Sequence, residues 1–224
     1  MKFYNYLNEE KDENKIQKFL IECDDYLKNI NLQKLVYSGR NRTYNIGREN
    51  VRKRRIPKDT PLFLHNELDN AFKKDFGVKA RTKGIFVTKS LYTAESYGQN
   101  VYYVFPTGNN YKFIYSEEIS DLYIKLKSKI RQSIPQTHEY YFDISDKYGR
   151  FFRNFDKKKH KGIYKTVKAV IEDIIGTYEE TKSPASTSTL NELMLIADSV
   201  WMLKKNHYGS PPDFIEKIKE MQRG

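Results

Sequence analysis

The chain has 224 residues, of which 38% are hydrophobic, 31% charged and 14% aromatic, enough to enclose a core of its own. Forty Lys and Arg against 29 Asp and Glu leave a net charge of +11. No apolar run has the length of a membrane-spanning helix, no hydrophobic stretch of the secretory kind follows the first lysine, and the single cysteine, Cys23, excludes an internal disulfide or a cysteine-built zinc cage. A cytoplasmic location without membrane attachment is the expectation.

In chain order, Ile16, Phe19, Leu20, Cys23, Leu27 and Ile30 recur at helical spacing and predict an amphipathic helix over residues 13–30. Lys34 to Tyr37 reads as a short strand stopped at Ser38-Gly39. Residues 40–58 have no clean period and read as an irregular loop. Thr60 and Pro61 read as the cap and first position of a helix with Leu64, Leu68, Ala71 and Phe72 on its apolar face, ended by Gly77. Residues 84–88 predict a strand, 92–97 a short helix, and 101–105 and 111–115 two strands around a turn. Ser116 reads as the cap of a helix carrying Leu122, Leu126 and Ile130. Ile163, Val167, Val170, Ile171 and Ile174 mark another. A Ser/Thr-rich loop over 177–189 leads into strands at 190–196 and 199–203, and Pro211 opens a last short helix. Strands and helices mix without a βαβ rhythm, so the fold class is α+β. A single domain over 1–224 is expected, with an N-terminal helical part at 1–31 and residues 135–162 readable as a basic insertion.

The positive charge is clustered. One cluster holds Arg40, Arg42, Arg48, Arg52, Lys53, Arg54, Arg55 and Lys58 against Glu49. A second, over 147–168, includes Lys157, Lys158 and Lys159. Local positive fields meet phosphate backbones, and arginine forks favour phosphate or carboxylate. Nucleic acid is the expected partner, with Arg42, Arg48, Arg52, Arg54, Arg55, Lys157, Lys158 and Lys159 as candidate contacts. Tyr148, Phe151, Phe152 and Phe155 lie among the second cluster, either as stacking surfaces for bases or as core residues beneath a solvated basic face.

Metal and nucleotide motifs are absent. The histidines His65, His138, His160 and His207 never fall four apart, so no metal is expected, and no glycine-rich phosphate loop or nucleophile elbow occurs. Cys23, on the buried side of its helix, reads as a packed thiol. Asp69, Asp75, Asp143 and Asp146 read as solvated acids.

Three segments remain: Tyr37-Ser38-Gly39-Arg40 on the first strand, Phe86-Val87-Thr88-Lys89-Ser90 ahead of a helix containing Ala94 and Tyr97-Gly98, and Leu190-Asn191-Glu192-Leu193-Met194-Leu195 after the polar loop. Their order resembles that of the NAD-dependent mono-ADP-ribosyltransferases of the arginine–serine–glutamate class, and of uncharacterised, often phage-encoded proteins with the same motif order. The resemblance spans roughly residues 33–203. It implies a mixed β-sheet core with flanking helices and NAD as co-substrate. Glu192 would be the catalytic carboxylate, and Arg40, Gly39, Tyr37, Phe86, Thr88, Ser90 and Tyr97 would line the NAD site. The family places its arginine directly before the glycine, where this chain has Ser38, so Arg40 or a neighbour such as Arg42 would serve.

Chemistry agrees with an acid at Glu192, because breaking the nicotinamide–ribose bond passes through an oxocarbenium-like state that a nearby carboxylate stabilises. Arginine-modifying members carry a second acid or amide two residues before the glutamate, where Leu190 stands. A base in DNA or RNA is therefore the expected acceptor. The alternatives are a protein acceptor, water as in an NAD glycohydrolase, and a nucleic-acid-binding protein without catalysis.

Overall fold

The computed structural model describes residues 14–31, 34–51, 57, 60–137 and 149–205. They form a mixed α+β fold. The strands are β1 (Tyr37–Arg40), β2 (Ile46–Asn50), β3 (Ile85–Thr88), β4 (Asn100–Pro106), β5 (Lys112–Tyr115), β6 (Glu179–Thr181), β7 (Glu192–Ile196) and β8 (Ser199–Lys204). They make one sheet in the order β2-β8-β4-β1-β3-β7-β5-β6. The pairings β2–β8, β8–β4, β4–β1, β1–β3 and β3–β7 are all antiparallel. The helices are α1 (14–22), α2 (Asp24–Asn29), α3 (Leu62–Phe76), α4 (Ala80–Lys83), α5 (Leu91–Tyr97), α6 (Leu122–Ser133), α7 (149–153) and α8 (Lys161–Ile175). None of the described helices is long and apolar enough to cross a membrane.

The chain divides into two compact units. Unit 1 comprises Met1–Val51, Ile85–Phe113 and Thr181–Gly224; unit 2 comprises Arg52–Gly84 and Ile114–Glu180. In unit 1, α1 and α2 cover the β4–β8 part of the sheet. Phe19 and Tyr26 meet Phe105 edge-on at 5.0 and 6.1 Å, and Phe19 meets Trp201 at 6.2 Å. Trp201 Nε1 donates to Glu22 Oε2 at 2.8 Å. All four rings are buried, so aromatic area, more than aliphatic, anchors these helices. In unit 2, α8 packs against α3 and α6, joining the predicted stripes of Leu64, Leu68 and Phe72, of Leu122, Leu126 and Ile130, and of Ile163, Val167, Val170, Ile171 and Ile174.

The expected helix over 13–30 is two helices parted by a turn at Cys23. That thiol is buried against β4, 3.8 Å from the Phe105 carbonyl oxygen, and burial raises its pKa, as a packed role requires. Residues 40–58, read as a loop, contain strand β2. It is an edge strand whose only fully buried side chain is Ile46, and its polar composition suits an edge while hiding it from a hydrophobicity pattern. Thr60 does not cap α3, which starts after Pro61 without a side-chain cap; Thr60 instead accepts from Arg81 Nη2 at 3.2 Å. Gly77 closes α3 at φ +73, the left-handed conformation glycine tolerates. The helix expected from Ser116 begins at Leu122, where Asp121 accepts from Ile124 N at 2.8 Å. Ser116 instead accepts from Glu118 N in a local turn and pairs with Thr177 Oγ1 at 3.0 Å. Residues 177–189 are not a plain loop but hold β6 and a 3-10 turn over Pro184–Ser186. The helix expected at Pro211 lies outside the described residues.

Candidate functional site

The three motif segments occupy three adjacent strands of unit 1. Tyr37 on β1 lies directly opposite Thr88 on β3, and Thr88 lies directly opposite Glu192 on β7. Residues opposed in an antiparallel pair share a face, so Tyr37, Thr88 and Glu192 form one row across the sheet. Phe86, opposite Met194, stands two positions along on the same face, and Tyr103, directly opposite Tyr37 on β4, extends the row by one strand with its ring 5.3 Å from that of Tyr37. Thr88 is buried, whereas Tyr37, Phe86 and Glu192 are half-buried, and burial raises the Tyr37 phenol.

Helix α5 is seated on this face by glycine. A Cβ on Gly39 would stand 1.9 Å from the Ala94 carbonyl oxygen, and one on Gly98 would stand 2.4 Å from Arg40 N. Only bare backbone permits that approach. Ser90 begins the helix as its N-cap, accepting from Thr93 N at 3.1 Å. Tyr97, at the other end, is exposed.

The hydroxyl of Thr88 is committed to building the site. It donates to the Leu190 carbonyl oxygen at 2.8 Å and accepts from Ser90 N at 3.0 Å. It thereby ties the end of β3 to the residue two before Glu192. The segment before Glu192 is held further. Lys89 Nζ donates to Thr187 O at 2.6 Å, to Thr187 Oγ1 at 2.9 Å and to Pro184 O at 3.4 Å. Lys34 Nζ donates to Ala185 O at 3.3 Å, Lys182 Nζ to Asn109 O, and Ser183 caps the 3-10 turn. In the sequence Lys89, between the two hydroxyl residues, looks like an ordinary surface lysine. The one local signal was its place at the end of a buried strand.

Arg40 is not brought to this row. Alternation along β1 sets it, with Ser38, on the face opposite to that of Tyr37 and Gly39. There its charge lies beside Tyr44, partly offsetting the upward push on that phenol from burial and from the Glu49 carboxylate. Tyr44 OH donates to Glu49 Oε1 at 2.6 Å. Residues 41–45 are fixed by Asn100 Nδ2 on Arg42 O at 2.6 Å and by Tyr102 OH on the Arg42 and Tyr44 carbonyls at 2.9 and 3.0 Å.

The candidate phosphate-binding residues divide. Arg42 is exposed, 3.8 Å from Glu49. Arg48 is occupied by Glu22 at 2.7 Å and by Asn50. Arg52, Arg54 and Arg55 lie outside the described residues. In unit 2, Lys157 is held 2.6 Å from the nearly buried Glu67 and lies over the Tyr164 and Phe63 rings at 4.8 and 5.5 Å. The Glu67 hydrogen bond raises its pKa. Lys158 and Lys159 are exposed, with only their backbone N–H groups bound, to Asp156. Phe151, Phe152 and Phe155 pack on one another, and Phe152 and Phe155 on Phe63. Phe152 is wholly buried and belongs to unit 2's core, whereas Phe151 and Phe155, packed on it, are half-buried. Tyr148 lies outside the described residues.

Asp69, read from sequence as a solvated acid, is buried. Its Oδ1 accepts from Arg81 N at 2.9 Å and Thr82 N at 3.3 Å, and its Oδ2 from Thr82 Oγ1. His65 Nε2 lies 3.0 Å from the same hydroxyl. Asp69 thus caps α4 from another helix. Among the described residues no group of three or more His, Cys, Asp or Glu is arranged to hold a metal ion. The chain matches no protein-family model, no curated protein sequence and no solved structure.

Proposed function

We propose that the chain has an ADP-ribosyltransferase-like fold and transfers ADP-ribose from NAD to a base of DNA or RNA, with Glu192 as the carboxylate at the reacting centre. The observation that carries this reading is the single row Tyr37–Thr88–Glu192 across β1, β3 and β7. Three segments chosen by motif order and far apart in the sequence need not have become neighbours. A carboxylate that begins an otherwise apolar strand, opposite a hydroxyl and in one row with a phenol two strands away, supports the same reading.

In the proposed step the bond from ribose C1′ to nicotinamide breaks, and nicotinamide leaves as a neutral base with the bonding pair. Glu192 steadies the positive charge that develops at C1′. A nitrogen of the acceptor base forms the new bond at C1′ and releases its proton. Tyr37 and Phe86, on the face of Glu192, are the rings available to wall the nicotinamide. Thr88 orients the start of β7. The resemblance would give the pyrophosphate to Arg40, but the opposite face of β1 does not fit that role, so Arg40 is left out of the proposed step.

The acceptor class rests on charge and on Leu190. With +11 overall, a polyanion is drawn to the chain at long range. Leu190 is apolar and 61% exposed, and so supplies no base to deprotonate a guanidinium. An unpaired or flipped base offers its nitrogens more readily than a paired one.

The test incubates the chain and NAD with single-stranded DNA, RNA and protein, reading nicotinamide release and the masses of the products. A labelled oligonucleotide is the expected result. Label on protein alone replaces the acceptor, free ADP-ribose alone makes the chain a hydrolase, and no nicotinamide release ends the enzyme reading. Glu192→Gln should keep its melting temperature and its stabilisation by NAD, yet lose about a hundredfold or more in rate. Undiminished activity in that variant removes Glu192 from the chemistry.

A further inference from the structure

The segment from Lys182 to Leu190, rich in hydroxyls and glycine-free, would be expected to wander. It does not. Two consecutive residues at the end of β3 grip it at two places. Thr88 Oγ1 holds Leu190 O, and Lys89 Nζ holds Thr187 through both its carbonyl and its hydroxyl, and reaches Pro184 O. Lys34 adds Ala185 O from the chain just before β1. An ammonium group has three protons and no preferred plane. It can therefore gather several carbonyls that a neutral donor could serve only in part. Thr187, held by Lys89, and Thr189 are buried at 4% and 5% exposure, their neighbours Ser186 and Ser188 are exposed, and Leu190 emerges at 61%. Pro184, Thr187 and Thr189 are buried while Lys182, Ser186, Ser188 and Leu190 reach solvent, so the segment is pinned at alternate places along its length.

We infer that Lys89 is a positioning residue. It fixes residues 184–187 so that β7 begins at Glu192 with the carboxylate opposite Thr88, and so that the approach to Glu192 from the Leu190 side has one shape. This inference deepens the transfer reading and rests on it. A macromolecular acceptor must come to a fixed place within ångströms of the reacting carbon, and misplacement by about 1 Å costs about a hundredfold in rate. Water has no such requirement. Lys89 therefore governs how NAD consumption divides between transfer and hydrolysis more than it governs NAD binding.

The experiment compares the unaltered chain with Lys89→Met, which keeps the length of the side chain and removes its charge, and with Lys89→Arg. Amide exchange over residues 183–190 reads the grip without reference to activity. Lys89→Met should speed that exchange by about tenfold or more, lower transfer by about tenfold or more, leave the KM for NAD within about twofold, and raise the share of NAD hydrolysed. Lys89→Arg should restore both exchange and transfer in large part. Thr187→Val, which leaves Lys89 in place and removes one acceptor, should give a smaller change of the same sign. Unchanged exchange in Lys89→Met overturns the grip. Faster exchange with unchanged transfer and an unchanged hydrolysed share overturns the positioning role. If the unaltered chain consumes no NAD, the transfer reading fails and the role of Lys89 in it falls too, while the exchange result still decides whether the ammonium holds the segment.

Discussion

A methyl group is all that separates Gly39 from a side chain the fold cannot take. The Ala94 carbonyl oxygen occupies the place where its Cβ would go, at 1.9 Å, and the obstacle is helix backbone, which cannot swing aside. Gly39→Ala should therefore cost roughly 1–3 kcal/mol of stability by overpacking, read as a lower urea midpoint at unchanged slope. A variant as stable as the parent would mean that α5 does not sit on β1 in this way. From the sequence, Gly39 was legible only as a motif neighbour, because close approach of two backbones leaves no mark beyond the glycines themselves. Arg40 is the opposite case. Two-residue alternation already set its side chain apart from Tyr37, but which face Glu192 shares follows from the register of β3 on both its neighbours, and no single segment carries that. Lys89 and Asp69 were illegible for a common reason: charged residues read as solvent-facing unless their partners, distant in sequence, are known.

Helices with long apolar stripes were legible, as were short α5 and the apolar strands β3, β4, β5 and β8, whereas β2, β6 and α4 were not. α3, α6 and α8 announce themselves by periodicity, and the predicted apolar residues are all buried, although α3 buries His65, Glu67 and Asp69 as well. Helix α4 has four residues, too few to stand by its own propensity. It is completed by Asp69 on α3, which accepts two of its first N–H groups and the Thr82 hydroxyl. Removing that carboxylate strands buried donors, at roughly 1–3 kcal/mol for an unsatisfied group. Asp69→Ala should lower the unfolding free energy by about that amount or more and speed amide exchange at Arg81 and Thr82 ahead of the rest of unit 2. A variant that keeps both protections would relieve Asp69 of the capping role. β2 escaped detection because an edge strand with one fully buried side chain has almost no hydrophobic pattern to read.

The molecule as a whole is rich in tyrosine, with 18 in the chain, and several are buried enough to resist ionising. Burial first, then Tyr37, pushes Tyr103 up to about 12; burial and Asp25 push Tyr111 up to about 12; burial and the Glu179 hydrogen bond push Tyr115 up to about 12. Tyr26 and Tyr44 are raised as well, chiefly by burial. Each holds its proton more tightly folded than unfolded, where the ordinary value is 10.0. The stability linked to them is thus complete below about pH 10 and is lost as pH rises through about 12. Urea midpoints should fall from about pH 9 to about pH 11, and phenolate absorbance should rise in two stages, the second coinciding with unfolding. Titration of all the tyrosines in one step near their ordinary value, with the fold intact, would contradict that burial.

The order of strands in the sheet has a consequence for how the chain is made. The two strands last in sequence, β7 and β8, are not at the margins: β8 is inserted between β2 and β4, and β7 between β3 and β5. A ribosome delivers them after every other described strand. Until residues 192–204 emerge, β2 has no strand partner, β3, β4 and β5 each lack one along one edge, and unpaired edges are templates for joining other chains. A nascent chain halted short of them would add four open edges to the outer ones of β2 and β6 and would lack Glu192, so such stalled products should precipitate more readily than the chain that includes both strands.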